Sequence, residues 1–217
     1  MRTPPSPLLA VTDRHGHARP LVETIGAVLQ GGVRWIWFRD RDLDPAVRRR
    51  LGDAVAGRVR ALGGVLTVGG DVALARALDA DGVHLGGGSD RRAIAAARAA
   101  LGERALIGVS AHTSGEASAA AKAGADYVTL SPIYETRSKP GYGPALGPGG
   151  LAAAGKVGLP VIALGGLDAT RIAECRTAGA AGVAVMGGLM RAEDPGAAAQ
   201  RMLAAWTGPE PERKPRT

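Results

Sequence analysis

Ala80-Asp-Gly-Val83 returns as Ala125-Asp-Tyr-Val128 and again as Ala180-Ala-Gly-Val183. In each copy an alanine-rich amphipathic segment ends and a short apolar run begins. One turn, repeated, joins a helix end to a strand start, and the rest of the chain keeps the same alternation. The apolar runs are residues 8–11, 35–38, 65–68, 83–85, 106–109, 127–130, 161–164 and 183–185. Helix-period segments lie near residues 21–30, 45–62, 72–78, 91–101, 114–123, 149–156, 170–178 and 195–206. Strict alternation of strand and helix implies parallel strands. Runs that are apolar throughout suit strands buried on both faces. Eight such units argue for an α/β fold of the (β/α)8 TIM barrel type, a single domain over residues 1–207. A doubly wound open sheet is the competitor. It carries a glycine fingerprint after its first strand, where this chain has Thr12-Asp-Arg-His-Gly-His17.

Composition narrows the function classes. Hydrophobic residues make up 46% of 217, enough for a sizeable core. No run approaches the roughly 18 apolar residues of a membrane span, so no membrane partner is expected. The Pro-rich start, Met1 to Pro7, lacks the apolar stretch of a secretory signal. Cys175 is the only cysteine, which excludes an internal disulfide framework and fits a reducing cytoplasm. The net charge of +7 comes from arginines scattered over helix-like segments, and aromatics are only 3%. That pattern offers no basic stripe or stacking platform for nucleic acid. Residues 208–217 are Pro-rich and charged, a composition expected to be disordered. A homo-oligomer is left open.

Groups that act in such barrels sit at the C-terminal ends of the strands. After the sixth run comes a long aperiodic stretch, residues 131–143, with Thr136, Ser138, Lys139, Gly141 and Gly143. Hydroxyls, a point charge and a backbone free to approach closely suit a phosphate; the alternative is a solvated loop. Gly165-Gly166 and Gly187-Gly188 close the last two strands, where backbone amides commonly hold a phosphate. His112, with Ser110 near it, follows the fifth run and offers an imidazole for proton transfer, or a structural histidine. His84 lies inside an apolar run and reads as a core or lining residue. His15 and His17 show no metal-ligand spacing. Arg39 and Arg41 share a face with Trp37 by period-two alternation. Two guanidiniums and an indole suit a flat anionic heterocycle, unless the arginines pair with Asp40. Asp71 and Asp90 are candidates for Mg²⁺ or for helix caps, and their places before helix-period segments favour caps.

Several segments, taken in order, resemble the thiamine phosphate synthase and thiazole tautomerase superfamily. They are Leu9-Ala-Val-Thr-Asp13, Phe38-Arg-Asp-Arg-Asp42, Ala80-Asp-Gly-Val-His-Leu-Gly86, Ile107-Gly-Val-Ser-Ala-His112, Ala163-Leu-Gly-Gly-Leu167 and Gly182-Val-Ala-Val-Met186. The resemblance implies a barrel that binds a phosphorylated thiazole in thiamine biosynthesis. In the synthase branch a pyrimidine diphosphate ionises with help from Mg²⁺, and the thiazole nitrogen captures the cation. The diphosphate grip carries over onto Arg39, Ser110, Thr136, Ser138 and Lys139, and the thiazole-phosphate grip onto Gly165, Gly166, Met186 and Gly187.

The chain also departs from that pattern. The synthase branch has an Asn-Asp pair after strand 3, where this chain has Gly69-Gly70. Its second metal-binding Asp falls on Ser89, so Asp71 and Asp90 each stand one residue off. A Gln on strand 2 becomes Trp37 and a Lys becomes Arg41. The tautomerase branch needs no metal and uses a His after strand 5, the position of His112. The resulting expectation is a metal-independent, cofactor-free isomerase that aromatises a thiazole carboxylate phosphate. His112, Arg39 and Ser110 would be catalytic, and Arg41 and Trp37 would bind substrate. A Mg²⁺-dependent thiamine phosphate synthase using Asp71 and Asp90 is the first alternative. A non-catalytic barrel that binds thiamine phosphates is the second.

Overall fold

Each apolar run becomes a strand: β1 (Leu8–Val11), β2 (Trp35–Phe38), β3 (Val65–Gly69), β4 (Gly82–Leu85), β5 (Leu106–Ala111), β6 (Tyr127–Leu130), β7 (Val161–Leu164) and β8 (Gly182–Val185). All eight neighbouring pairs are parallel, and β1 pairs with β8 to close the barrel. The computed structural model describes residues 3–15, 18–136 and 143–208. The expected tail at 209–217 therefore lies outside the described residues, as do His17, Ser138, Lys139 and Gly141. No helix among the described residues is long and apolar enough to cross a membrane.

The helices are α1 (Leu21–Gln30), α2 (Pro45–Ala61), α3 (Val72–Ala77), α4 (Arg91–Leu101), α5 (Ser114–Ala123), α6 (Gly147–Ala154), α7 (Ala169–Thr177), α8 (Gly187–Met190) and α9 (Pro195–Thr207). Six of them start on a side-chain cap: Asp44, Asp71, Asp90, Thr113, Asp168 and Asp194 accept from backbone N–H groups in the first turn. Two boundaries differ from expectation in ways that matter. β5 runs on to Ala111, so Ser110 belongs to the strand. The four-residue helix α8 had no signal, because Gly-Gly is a poor helix former and a single turn shows no period.

The repeated joint has a hydrogen-bonding cause. Asp81 Oδ2 accepts the N–H of Leu66 at 2.7 Å, and Asp126 Oδ2 accepts the N–H of Ile107 at 2.8 Å. Each carboxylate thus ties its own strand to the start of the one before. Asp126 also takes the Arg98 guanidinium at 2.6 Å. The third copy has Ala181 instead, and only backbone bonding remains, Ala181 N–H to Val161 O at 2.8 Å.

Two cores follow from strand alternation. Outward residues such as Leu8, Ile36, Val68, Val83 and Ile107 pack under the helices. Inward residues, Leu9, Val11, Trp35, Trp37, Tyr127, Ile162 and Ala184, fill the barrel. Among these sits His84, fully buried. Its ring lies 3.9 Å from the Trp37 ring between centroids. Nδ1 shares a hydrogen bond with the Tyr127 hydroxyl at 3.1 Å, and Nε2 with Ser110 Oγ at 3.1 Å and Thr129 Oγ1 at 3.2 Å.

Burial first, and then the charge of Arg41, lowers the His84 pKa from its ordinary 6.5 to about 3. Below its ordinary pKa the unfolded chain binds a proton here that the fold refuses until about pH 3. Stability then falls as pH falls through that window, by up to about 1.4 kcal/mol per pH unit from this group. His84→Asn should flatten the decline between about pH 6 and pH 4 when urea midpoints are compared with wild type. Parallel curves would show that the ring is not the source.

Candidate functional site

A pocket of about 420 Å³ opens at the C-terminal ends of the strands. Alternation decides who reaches it. Val11, Trp37, Ser110, Leu164 and Ala184 have the inward parity of their strands and line its floor. The rim is built from the residues just beyond. β2 continues into Arg39 and Arg41, β5 into His112, and β6 into Ser131, Pro132 and Thr136. β7 continues into Gly165 and Gly166, and β8 into Met186, Gly187 and Gly188. The pocket thus brings together Trp37, Arg39, Arg41, Ser110, His112, Thr136, Gly165, Gly166, Met186 and Gly187. Ser138 and Lys139, on the same loop as Thr136, fall outside the described residues.

The glycines on the β7 side are required by geometry. Gly165 has φ +106° and Gly166 φ +64°, the left-handed half of backbone space. A Cβ on Gly166 would lie 2.8 Å from Tyr134 Cβ and 2.9 Å from Tyr134 O, and closer still to Glu135 O. The start of the β6 loop is pinned here: Ile133 N–H donates to Leu164 O at 2.9 Å and Tyr134 N–H to Gly165 O at 3.1 Å. Arg171 holds the outer side, its guanidinium 2.6 Å from Gly166 O and over the Tyr134 ring at 4.7 Å.

His112 has a defined tautomer. Its Nδ1 is 2.7 Å from the Ser131 carbonyl oxygen, which only accepts, so Nδ1 carries the proton. Nε2 is then the acceptor in the neutral ring, 3.8 Å from where a Cβ on Gly87 would stand. Its backbone N–H donates to Glu116 Oε2 at 2.7 Å, fixing the turn into α5.

The arginines do not pair with Asp40. That buried carboxylate accepts from the Thr12 hydroxyl and from Arg14 N at 3.1 Å. Arg14 in turn grips Asp42 with two bonds, at 2.7 and 2.6 Å. Among the described residues, the guanidiniums of Arg39 and Arg41 make no hydrogen bond or ion pair. Burial, then the charges of Arg39 and Arg48, lower the Arg41 pKa below its ordinary value, yet a guanidinium stays charged. Among the described residues, these two guanidiniums therefore give the site positive charge that no carboxylate pairs.

A family model described as thiamine monophosphate synthase matches residues 8–189. The chain belongs to the thiamine monophosphate synthase family. Its relatives in that family include the thiamine-phosphate synthase of Halorhodospira halophila, 41% identical over 189 residues, 86% of this chain and 88% of that protein. The thiamine-phosphate synthase of Xanthomonas campestris pv. campestris is 40% identical over 176 residues, 81% of this chain and 84% of that one. Among solved structures, thiamine phosphate pyrophosphorylase from Pyrococcus furiosus superposes with a TM-score of 0.80 at 29% identity, covering 93% of this chain and 96% of that one.

The donor set of this family member does not fit a divalent ion. Among the described residues no carboxylate lines the pocket. Among the described residues no group of three or more His, Cys, Asp or Glu side chains converges to hold a metal. Asp71 caps α3 through Leu74 N–H at 2.8 Å and pairs with Arg48 Nη1 at 3.1 Å. Asp90 caps α4 through Ala93 N–H at 2.8 Å. Both carboxylates thus serve the helix starts that follow β3 and β4, so one residue of offset is enough to take them off the rim. Residues 137–142 bring no carboxylate by sequence.

One rim residue of this thiamine monophosphate synthase family member was missed by sequence reasoning. Arg191, which ends α8, lines the pocket and pairs with Asp13 at 2.5 Å. Its guanidinium overlaps the space a Cβ on Gly187 would fill. A cation three residues past Gly188 was the available signal.

Proposed function

We propose that this chain joins a pyrimidinylmethyl diphosphate to a thiazole phosphate, forming thiamine phosphate. The observation that carries the reading is one pocket lined by two kinds of oxyanion-binding group. Arg39 and Arg41 from β2, with Ser110 and Thr136, form the cationic, hydroxyl-bearing arc for a diphosphate. Gly165, Gly166, Gly187 and Gly188 form the amide arc for a phosphate monoester. Trp37 lines the same pocket and offers a flat face for an aromatic ring. The names of relatives near 40% identity favour coupling over the isomerase expected from sequence.

The step balances without a proton. The carbon–oxygen bond to the diphosphate breaks, and its electron pair leaves with the phosphate oxygen. The lone pair of the thiazole nitrogen then forms the carbon–nitrogen bond and leaves a thiazolium. The demand on the protein is to stabilise charge gathering on the leaving oxygens, the task of Arg39 and Arg41, and to hold the nitrogen in line.

One observation favours a second reading, tautomerisation of a thiazole carboxylate phosphate. His112 presents Nε2 as an acceptor, and the described pocket has no carboxylate for a metal. Purified protein given both substrate sets separates the two. Thiamine phosphate should form, and His112→Ala should slow coupling less than about tenfold, because no proton moves. Aromatisation without coupling, lost about 100-fold or more in the same variant, would instead establish the isomerase.

A further inference from the structure

Four departures from the family pattern turn out to be two packing pairs. A Cβ on Gly69 would stand 2.8 Å from Trp37 Nε1, and Gly69 is buried. A Cβ on Gly70 would stand 2.7 Å from Arg41 Nη2 and 2.8 Å from its Cζ. The side chains of β2 thus occupy the volume that side chains at the end of β3 would fill. Neither glycine is a random loss: each makes room for a larger group from the neighbouring strand. Gly70 also has φ +67°, so the backbone there is fitted to glycine.

The replacement changes the sign of the corner. A carboxylate at position 70 is what the resemblance leads one to expect, and a guanidinium stands in its place. Nearby acids do not restore the balance. Asp71 faces Arg48 and the start of α3, and Asp40 faces Thr12 and Arg14. Trp37 Nε1 is a buried donor without a partner among the described residues.

The geometry points to a metal-free diphosphate site at the β2–β3 corner, in which the Arg41 guanidinium, beside Arg39, replaces a carboxylate-bound divalent cation. A planar guanidinium neutralises phosphate oxygens directly and donates in a fork that matches them. A carboxylate–metal pair needs an ion to reach the same charge. The inference deepens the coupling reading, since the diphosphate is that of the proposed donor. It also makes the coupling independent of added Mg²⁺.

Calorimetric titration with inorganic diphosphate tests it, in EDTA and again with Mg²⁺. Wild type should bind in EDTA, with no gain in affinity when Mg²⁺ replaces the chelator. Arg41→Gln should weaken that binding by about tenfold or more, while Arg41→Lys retains part of it. Gly70→Asp should also weaken it, and more than Gly70→Asn, because only the carboxylate neutralises Arg41; both residue types tolerate positive φ. Binding that appears only with Mg²⁺, or Arg41→Gln binding as tightly as wild type, would overturn the inference. The two readings fail separately. Coupling that requires Mg²⁺ sinks the metal-free site and spares the reaction. Metal-free diphosphate binding without coupling does the reverse.

Discussion

Gly166→Ala should lower kcat/KM for thiamine phosphate formation by about 100-fold, the size expected when a positioning element moves by about an ångström. Two costs meet at this residue. A φ of +64° costs a non-glycine residue about 1–2 kcal/mol. The added methyl would also press on the backbone of Tyr134 and Glu135, which is not the flexible end of a side chain and has nowhere to swing. The start of the β6 loop has to retreat, and with it the bonds from Ile133 and Tyr134 to the end of β7. Thr136, on the diphosphate arc, is carried away with the loop. Gly187→Ala is the control. The nearest atoms to its methyl belong to the Arg191 guanidinium, the far end of a side chain and not backbone, so its activity should fall less. Steady-state kinetics with melting curves on both variants checks the order; equal effects would mean that backbone contact is not what matters.

Gly108→Ala should destabilise the barrel by about 3 kcal/mol in denaturant titration. The site lies on β5 facing the Tyr127–His84 pair. A Cβ there would lie 2.5 Å from the Tyr127 hydroxyl and 2.6 Å from His84 Nδ1, and would overlap the phenol ring. Tyr127 and His84 are both buried and bonded to each other, so neither has a free direction. Tyr127→Phe in the same background removes the hydroxyl and should recover part of the loss, a coupling that a double-mutant cycle reads directly. Additive effects would show that the clash is relieved elsewhere.

The barrel was legible because its signal is local. Eight apolar runs and the Ala-Asp-x-Val joints need only neighbours along the chain, and all eight strands formed where the runs lie. The rim was legible at one remove, since period-two alternation carries Trp37 into Arg39 and Arg41. Contacts between strands were not legible. Nothing in the order of residues says that Trp37 stands in the space of a side chain at 69, or Arg41 in that of one at 70. Those fits depend on the β2–β3 register, in which Trp37 pairs with Thr67 and Phe38 with Val68. The sequence therefore presented Gly69-Gly70 as a loss, whereas the structure presents an exchange. Asp71 and Asp90 drew attention as carboxylates near strand ends. Their bonds to Leu74, Arg48 and Ala93 place them at helix starts, as their positions before helix-period segments led one to expect.

A crystal structure with inorganic diphosphate and thiazole phosphate bound, grown with Mg²⁺ present, tests the account most directly. It should show diphosphate held by Arg39, Arg41 and Ser110, and the thiazole phosphate on the amides of Gly165, Gly166, Gly187 and Gly188, with no ion between β3 and β4. Magnesium bound by Asp71 and Asp90 and bridging to the diphosphate would contradict it.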